Sequence, residues 1–81
     1  MSNKKTVYVR LKEGVLDPQG VTIHKSLQQM GYDDFISVKF GKFFELEIKG
    51  DANDIDRKIA EVSEKLLSNP VIENFTVENN E

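Results

Sequence analysis

Few residues in this 81-residue chain are of types that do chemistry unaided. The absence of cysteine excludes a disulfide framework, a thiolate metal site, a redox pair and a cysteine nucleophile together. The single histidine, His24, has no carboxylate or serine placed locally to work with it as an acid or base, and it reads as a surface side chain. Asp51, Asp54 and Asp56 bear a superficial likeness to a calcium loop but open a helix and lack the ligands that should follow. At the opening of a helix they serve better as a cap and as complements to its dipole. The one Gly-Lys pair, Gly41-Lys42, falls between two strand-like runs rather than between a strand and a helix, so it is not a phosphate loop. The expectation is a chain without catalytic, cofactor-binding or metal-ligating residues.

Composition narrows the class of partner. At 38% hydrophobic and 31% charged residues the chain is an ordinary globular domain, and at this length a single domain hides only about 60% of the surface its unfolded chain exposes. A thin core makes self-association an expected source of further burial. The formal net charge of -3 provides no broad positive field for a phosphate backbone, so nucleic acid is not expected as a partner. No apolar run is long enough to span a membrane and no leader pattern opens the chain, from which a cytoplasmic location is expected.

The elements that would carry any functional side chain can be read from periodicity. Residues 6–12 alternate, with Val7, Val9 and Leu11 on one face and Tyr8, Arg10 and Lys12 on the other, which predicts a first strand. Asp17 and Pro18 form a helix start, with Leu16 and Val21 spaced as a hydrophobic staple. Ile23, Leu27 and Met30 recur at helical spacing up to Gly31, giving a helix over 18–30. Gly20 in the first turn costs about 1 kcal/mol relative to alanine, which the close approach of another backbone would explain, a neutral accident being the alternative.

Ile36, Val38 and Phe40 alternate before Gly41, and Phe44, Leu46 and Ile48 alternate after it, which predicts a hairpin over 35–49 with Gly41 in a type II′ turn and Lys42 at its exposed tip. A second helix over 54–67, capped by Asp51 or Asn53, carries the stripe Ile55, Ile59, Val62 and Leu66. Asn69 and Pro70 end it, and a last strand over 71–77 places Val71, Phe75 and Val77 on one face, followed by a fraying tail from Glu78 to Glu81.

The order β-α-β-β-α-β predicts a single α+β domain, a two-layer ferredoxin-like sandwich with a four-stranded antiparallel sheet and two helices on one face. Its uncovered face would show Tyr8, Phe35 and Phe43, a candidate oligomer face because aromatics dominate interface cores. Base stacking on these rings would want a basic surround, and this sheet adds Glu45 and Glu47 instead.

Three blocks carry a family resemblance: VYVRLKEGVLDPQG from Val7 to Gly20, VKFGKFFELEI from Val38 to Ile48, and KLLSNPVIENF from Lys65 to Phe75. Together they resemble the PurS family, the small non-catalytic subunit of the multi-subunit formylglycinamide ribonucleotide amidotransferase. Ser68 and Phe40 are minor departures from its pattern. The resemblance implies that two copies, as a dimer or within a tetramer, join a synthetase subunit, PurL, and a glutaminase subunit, PurQ. ATP and Mg would then belong to the large subunit only. Leu16, Asp17, Pro18, Gln19 and Gly20, with Gly41 and Lys42, are the candidate partner interface, because both segments expose backbone or charge beyond what the fold needs. A competing reading is a small-ligand regulatory module of the ACT type, which shares the element order and whose glycine-containing turn Gly14 and Gly20 could imitate.

Overall fold

A computed structural model describes residues 2–50 and 52–79. The expected cap at Asp51 and the end of the tail, residues 80–81, lie outside them. Strand β1, Ser2–Leu11, is central in an antiparallel sheet of order β2-β1-β3, flanked by β2, Gly41–Lys49, and β3, Glu73–Asn79. Helix α1, Pro18–Gln29, links β1 to β2, and α2, Ala52–Val62, runs on through a π-helical turn over Ser63–Leu67 before β3. The α+β class and antiparallel sheet are as the periodicity predicts, but the sheet has three strands rather than four.

The missing strand is the first half of the predicted hairpin. Residues 35–40 form no strand, because the chain does not reverse at Gly41. Gly41 lacks the positive φ a II′ turn demands, being already the first residue of β2, opposite Arg10. Alternation at Ile36, Val38 and Phe40 marks a segment able to pair, yet pairing needs a neighbouring edge, and β1 ends at Leu11. Boundaries shift elsewhere for the same reason. β1 begins at Ser2 because residues 2–5 find partners in Lys49 to Leu46, and β3 begins at Glu73 because Asn69 closes a turn beneath it, its carbonyl accepting from the N–H groups of Ile72 and Glu73. Val71 is therefore exposed in that turn rather than facing the core.

The core is small. Val7 and Val9 of β1 pack against Ile55 and Ile59 of α2, with Phe44, Leu46, Ile48, Leu67 and Phe75 partly buried around them. Register puts Val7 between Phe44 and Val77, and Val9 beside Phe75, so one parity of each strand faces α2. The predicted stripe fails at its end, where Ser63 and Leu67 turn inward while Leu66 is 78% exposed. Positions four apart drift by about 40° per step on a 3.6-residue helix, and the wider π turn slows that drift enough to keep Leu67 over the sheet.

Helix α1 does not join this core. It makes at most marginal contact with any strand, and Gly20 is its only buried residue. Val21, Ile23 and Met30 are exposed, so the predicted placement of both helices against the sheet is not met within one chain. Its ends are nonetheless well formed. Asp17 caps the start, and at the finish Tyr32 N–H donates to Leu27 O and Gly31 N–H to Gln28 O, with Gly31 at φ 91°, the Schellman arrangement expected of a glycine there. The chain as a whole is long and thin, 50 × 27 × 14 Å.

Candidate interaction site

The Leu16–Gly20 segment is organised by one carboxylate. Asp17 Oδ1 accepts from Gly20 N–H at 2.8 Å, the expected cap, while Oδ2 accepts from Phe40 N–H at 2.8 Å, a residue 23 positions away. Both bonds favour the charged form, so the Phe40 amide first and the Gly20 amide second hold the Asp17 carboxyl below its usual range. Gly20 has the close backbone neighbour its cost suggests. A β-carbon there would lie 2.4 Å from the Val38 carbonyl oxygen. His24 adds a third tie, its Nε2 2.6 Å from Phe35 O, and since a carbonyl only accepts, that nitrogen carries the hydrogen.

Asp17, Gly20 and His24 thus pin residues 35–40 along α1, antiparallel to it. Asp17 and Gly20, two of the candidate partner residues, are spent inside the chain on this latch. Leu16, 76% exposed, and the exposed Pro18 and Gln19 remain on the outer side of the same turn. The staple is not a contact that shields them, since Val21 is exposed as well. The two long-range ties, to Phe40 and Phe35, carry no sequence signal, because each ends on a backbone group that any residue supplies.

The other two candidates are placed differently from the expectation. Gly41 is exposed at the start of β2, where a β-carbon would meet Val9 O at 2.9 Å, so close strand approach explains the glycine. Lys42 is not at a tip. It pairs with Val9 inside the sheet, with its Nζ 3.8 Å from Glu73 and 5.8 Å from the Phe44 ring centre.

On the open face, Tyr8 and Phe43 are directly opposite in register, their rings 5.9 Å apart, and the Arg10 guanidinium lies 5.4 Å from the Tyr8 ring centre. Phe35 does not join them. It lies off the sheet, edge-on to Tyr32 at 6.2 Å. Between the sheet end and α1 a cleft of about 430 Å³ is bordered by Arg10, Lys12, Glu13, Asp17 and Lys39. Its charges are mixed, three basic side chains against two acidic ones, with Lys39 and Glu13 3.7 Å apart. Among the described residues no group of three or more His, Asp or Glu side chains is placed to hold a metal ion, and no helix is long and apolar enough to cross a membrane.

The chain matches a family model over residues 4–81, that of PurS, phosphoribosylformylglycinamidine (FGAM) synthase. It is 45% identical over 75 residues to the PurS subunit of that synthase from Bacillus subtilis, an alignment covering 93% of this chain and 89% of the relative. The corresponding subunit of Archaeoglobus fulgidus is 40% identical over 72 residues, covering 88% of this chain and 90% of the relative. Among solved structures, B. subtilis PurS superimposes with a TM-score of 0.89 at 44% identity over the whole of both chains. A chain of the Thermotoga maritima PurLQS structure gives 0.89 at 26% identity, over 99% of each.

Proposed function

The chain belongs to the PurS family and is the small subunit of phosphoribosylformylglycinamidine synthase, a premise from which we propose that it serves as a non-catalytic bridge holding the synthetase and glutaminase subunits in productive geometry. One observation carries this reading. The radius of gyration is 16.3 Å, against about 12 Å for a compact domain of this length, and α1, outside the core, leaves Val21, Ile23 and Met30 exposed. A domain serving only itself would fold that surface inward, whereas a bridging subunit presents it.

In this role two copies associate, as a dimer or within a tetramer, and the pair engages PurL and PurQ. Leu16, Pro18 and Gln19 face a partner, while the Tyr8–Phe43 face is a second contact surface. Ammonia released from glutamine on PurQ is captured on PurL by an ATP-activated amide, converting the formylglycinamide ribonucleotide to its amidine. ATP and its Mg are held by PurL, in the cytoplasm. The ACT-type alternative is not supported, the match over residues 4–81 being to PurS.

The test is light scattering of the protein alone and mixed with PurL and PurQ, followed by the glutamine-dependent synthetase reaction. An oligomer that enters the larger particle and restores turnover is expected. A chain that stays apart from both partners and restores nothing overturns the bridging role.

A further inference from the structure

We propose that the cleft between the sheet end and α1 binds a small phosphate monoester of the size of a sugar phosphate, with its phosphate held by Arg10 and Lys12 and its hydroxyls by Asn74 and Thr76. This is independent of the bridging role, because Leu16, Pro18 and Gln19 do not border the cleft.

The unmatched charge selects the ligand. Of the two acidic side chains on the cleft wall, Glu13 lies 3.7 Å from Lys39, and Asp17 turns both oxygens to the N–H groups of Gly20 and Phe40. Arg10 and Lys12 have no carboxylate at ion-pairing distance among the described residues. Two positive charges on one wall are left without an internal partner, and a phosphate monoester carries about −1.5 to −2 at pH 7. The two cations stand two positions apart, where Lys12 N–H donates to Ile72 O and carries the ladder one residue beyond Leu11. At strand rise this puts roughly 7 Å between their Cα atoms, close enough for two long side chains to converge on one phosphate. Arg10 is already steadied, its guanidinium 5.4 Å from the Tyr8 ring centre, so it loses less freedom on binding. The Lys39–Glu13 pair is exposed and correspondingly weak, which leaves Lys39 able to turn to the ligand from the 35–40 side.

Size and the neutral groups extend the site beyond a bare anion. A volume of about 430 Å³ lies within the range of about 300–1,000 Å³ usual for small-molecule sites, and is far more than phosphate alone fills. Asn74 is opposite Arg10 in the register of β1 with β3, and Thr76 is opposite Tyr8, so both stand on the same sheet face as Arg10. Neither side chain forms a hydrogen bond among the described residues. An amide and a hydroxyl so placed suit the hydroxyls of a sugar, and Val15 and Phe40 give its carbon skeleton an apolar wall.

Calorimetric titration of the whole chain with ribose 5-phosphate, inorganic phosphate and ribose decides the matter. Saturable binding of ribose 5-phosphate is expected, with weaker binding of inorganic phosphate and none of ribose at the same concentrations. Arg10→Gln and Lys12→Gln should each raise the Kd for ribose 5-phosphate by about tenfold or more, with thermal unfolding confirming that each variant is folded. Asn74→Ala should weaken ribose 5-phosphate while leaving inorganic phosphate unchanged. Absence of saturable heat with ribose 5-phosphate overturns the site, as does binding that survives both cation substitutions undiminished. Inorganic phosphate bound as tightly as ribose 5-phosphate overturns the assignment to a sugar phosphate.

Discussion

Replacing Gly20 with alanine separates two accounts of the LDPQG turn. In the structure the new β-carbon would sit 2.4 Å from the Val38 carbonyl oxygen, which is backbone and cannot rotate away, and 2.6 Å from Asp17 Oδ2. Forcing a methyl group into such a contact costs about 1–3 kcal/mol as residues 38–40 shift off the helix. Alanine recovers up to about 1 kcal/mol of helix propensity, since the glycine φ is not positive and any residue could adopt it. The 2.4 Å approach to a backbone atom puts the cost at the upper end of that range, so the net expectation is a loss of about 2 kcal/mol, equivalent to a fall of roughly 8–16 °C in Tm for a domain of this size.

The assay is urea and thermal unfolding of the isolated subunit at one fixed protein concentration, because association contributes to apparent stability. If Gly20 were required only for a partner, the alanine variant would be as stable as the parent or more so, and the loss would appear solely in assembly with PurL and PurQ. An unchanged or raised midpoint therefore refutes the Val38 contact as the reason for this glycine.

Two further changes probe the same framework. Because Asp17 has its pKa lowered in the folded chain, its contribution is present above the ordinary value of 3.8 and is lost as pH falls through the lower folded value. The stability advantage of the parent over Asp17→Asn, measured by urea midpoints, is accordingly expected at pH 7 and should close on acidification below 3.8; a gap that is constant with pH would contradict it. Ser63 Oγ is buried under the π turn with no hydrogen-bond partner, so Ser63→Ala removes an uncompensated polar atom and should leave stability unchanged or raise it by about 1 kcal/mol. A clear fall in Tm would show that the hydroxyl is bonded after all.

What the sequence determined by itself was local, together with whatever recurs across a family. Alternation around Val7 and Val9 placed the central strand, Asp17-Pro18 and Gly31 bounded α1, and Ile55 and Ile59 marked the inward side of α2, because strand pleat, capping and helical pitch act over a few residues. The three blocks, at their spacing, pointed to the family. The fate of residues 35–40 was decided only by the tertiary structure. Ile36, Val38 and Phe40 have the pattern of a strand, but a strand exists only beside another edge, and whether one is within reach is not written in the pattern. The same holds for Lys42, read as a hairpin tip until the absence of a turn carried it into the sheet, and for Leu66, displaced outward by the π turn. The second acceptor role of Asp17 was equally hidden, since its partner is a backbone N–H supplied by the fold rather than by the identity of Phe40. Side-chain periodicity reports the environment a residue suits, and only the folded chain determines which neighbour provides it.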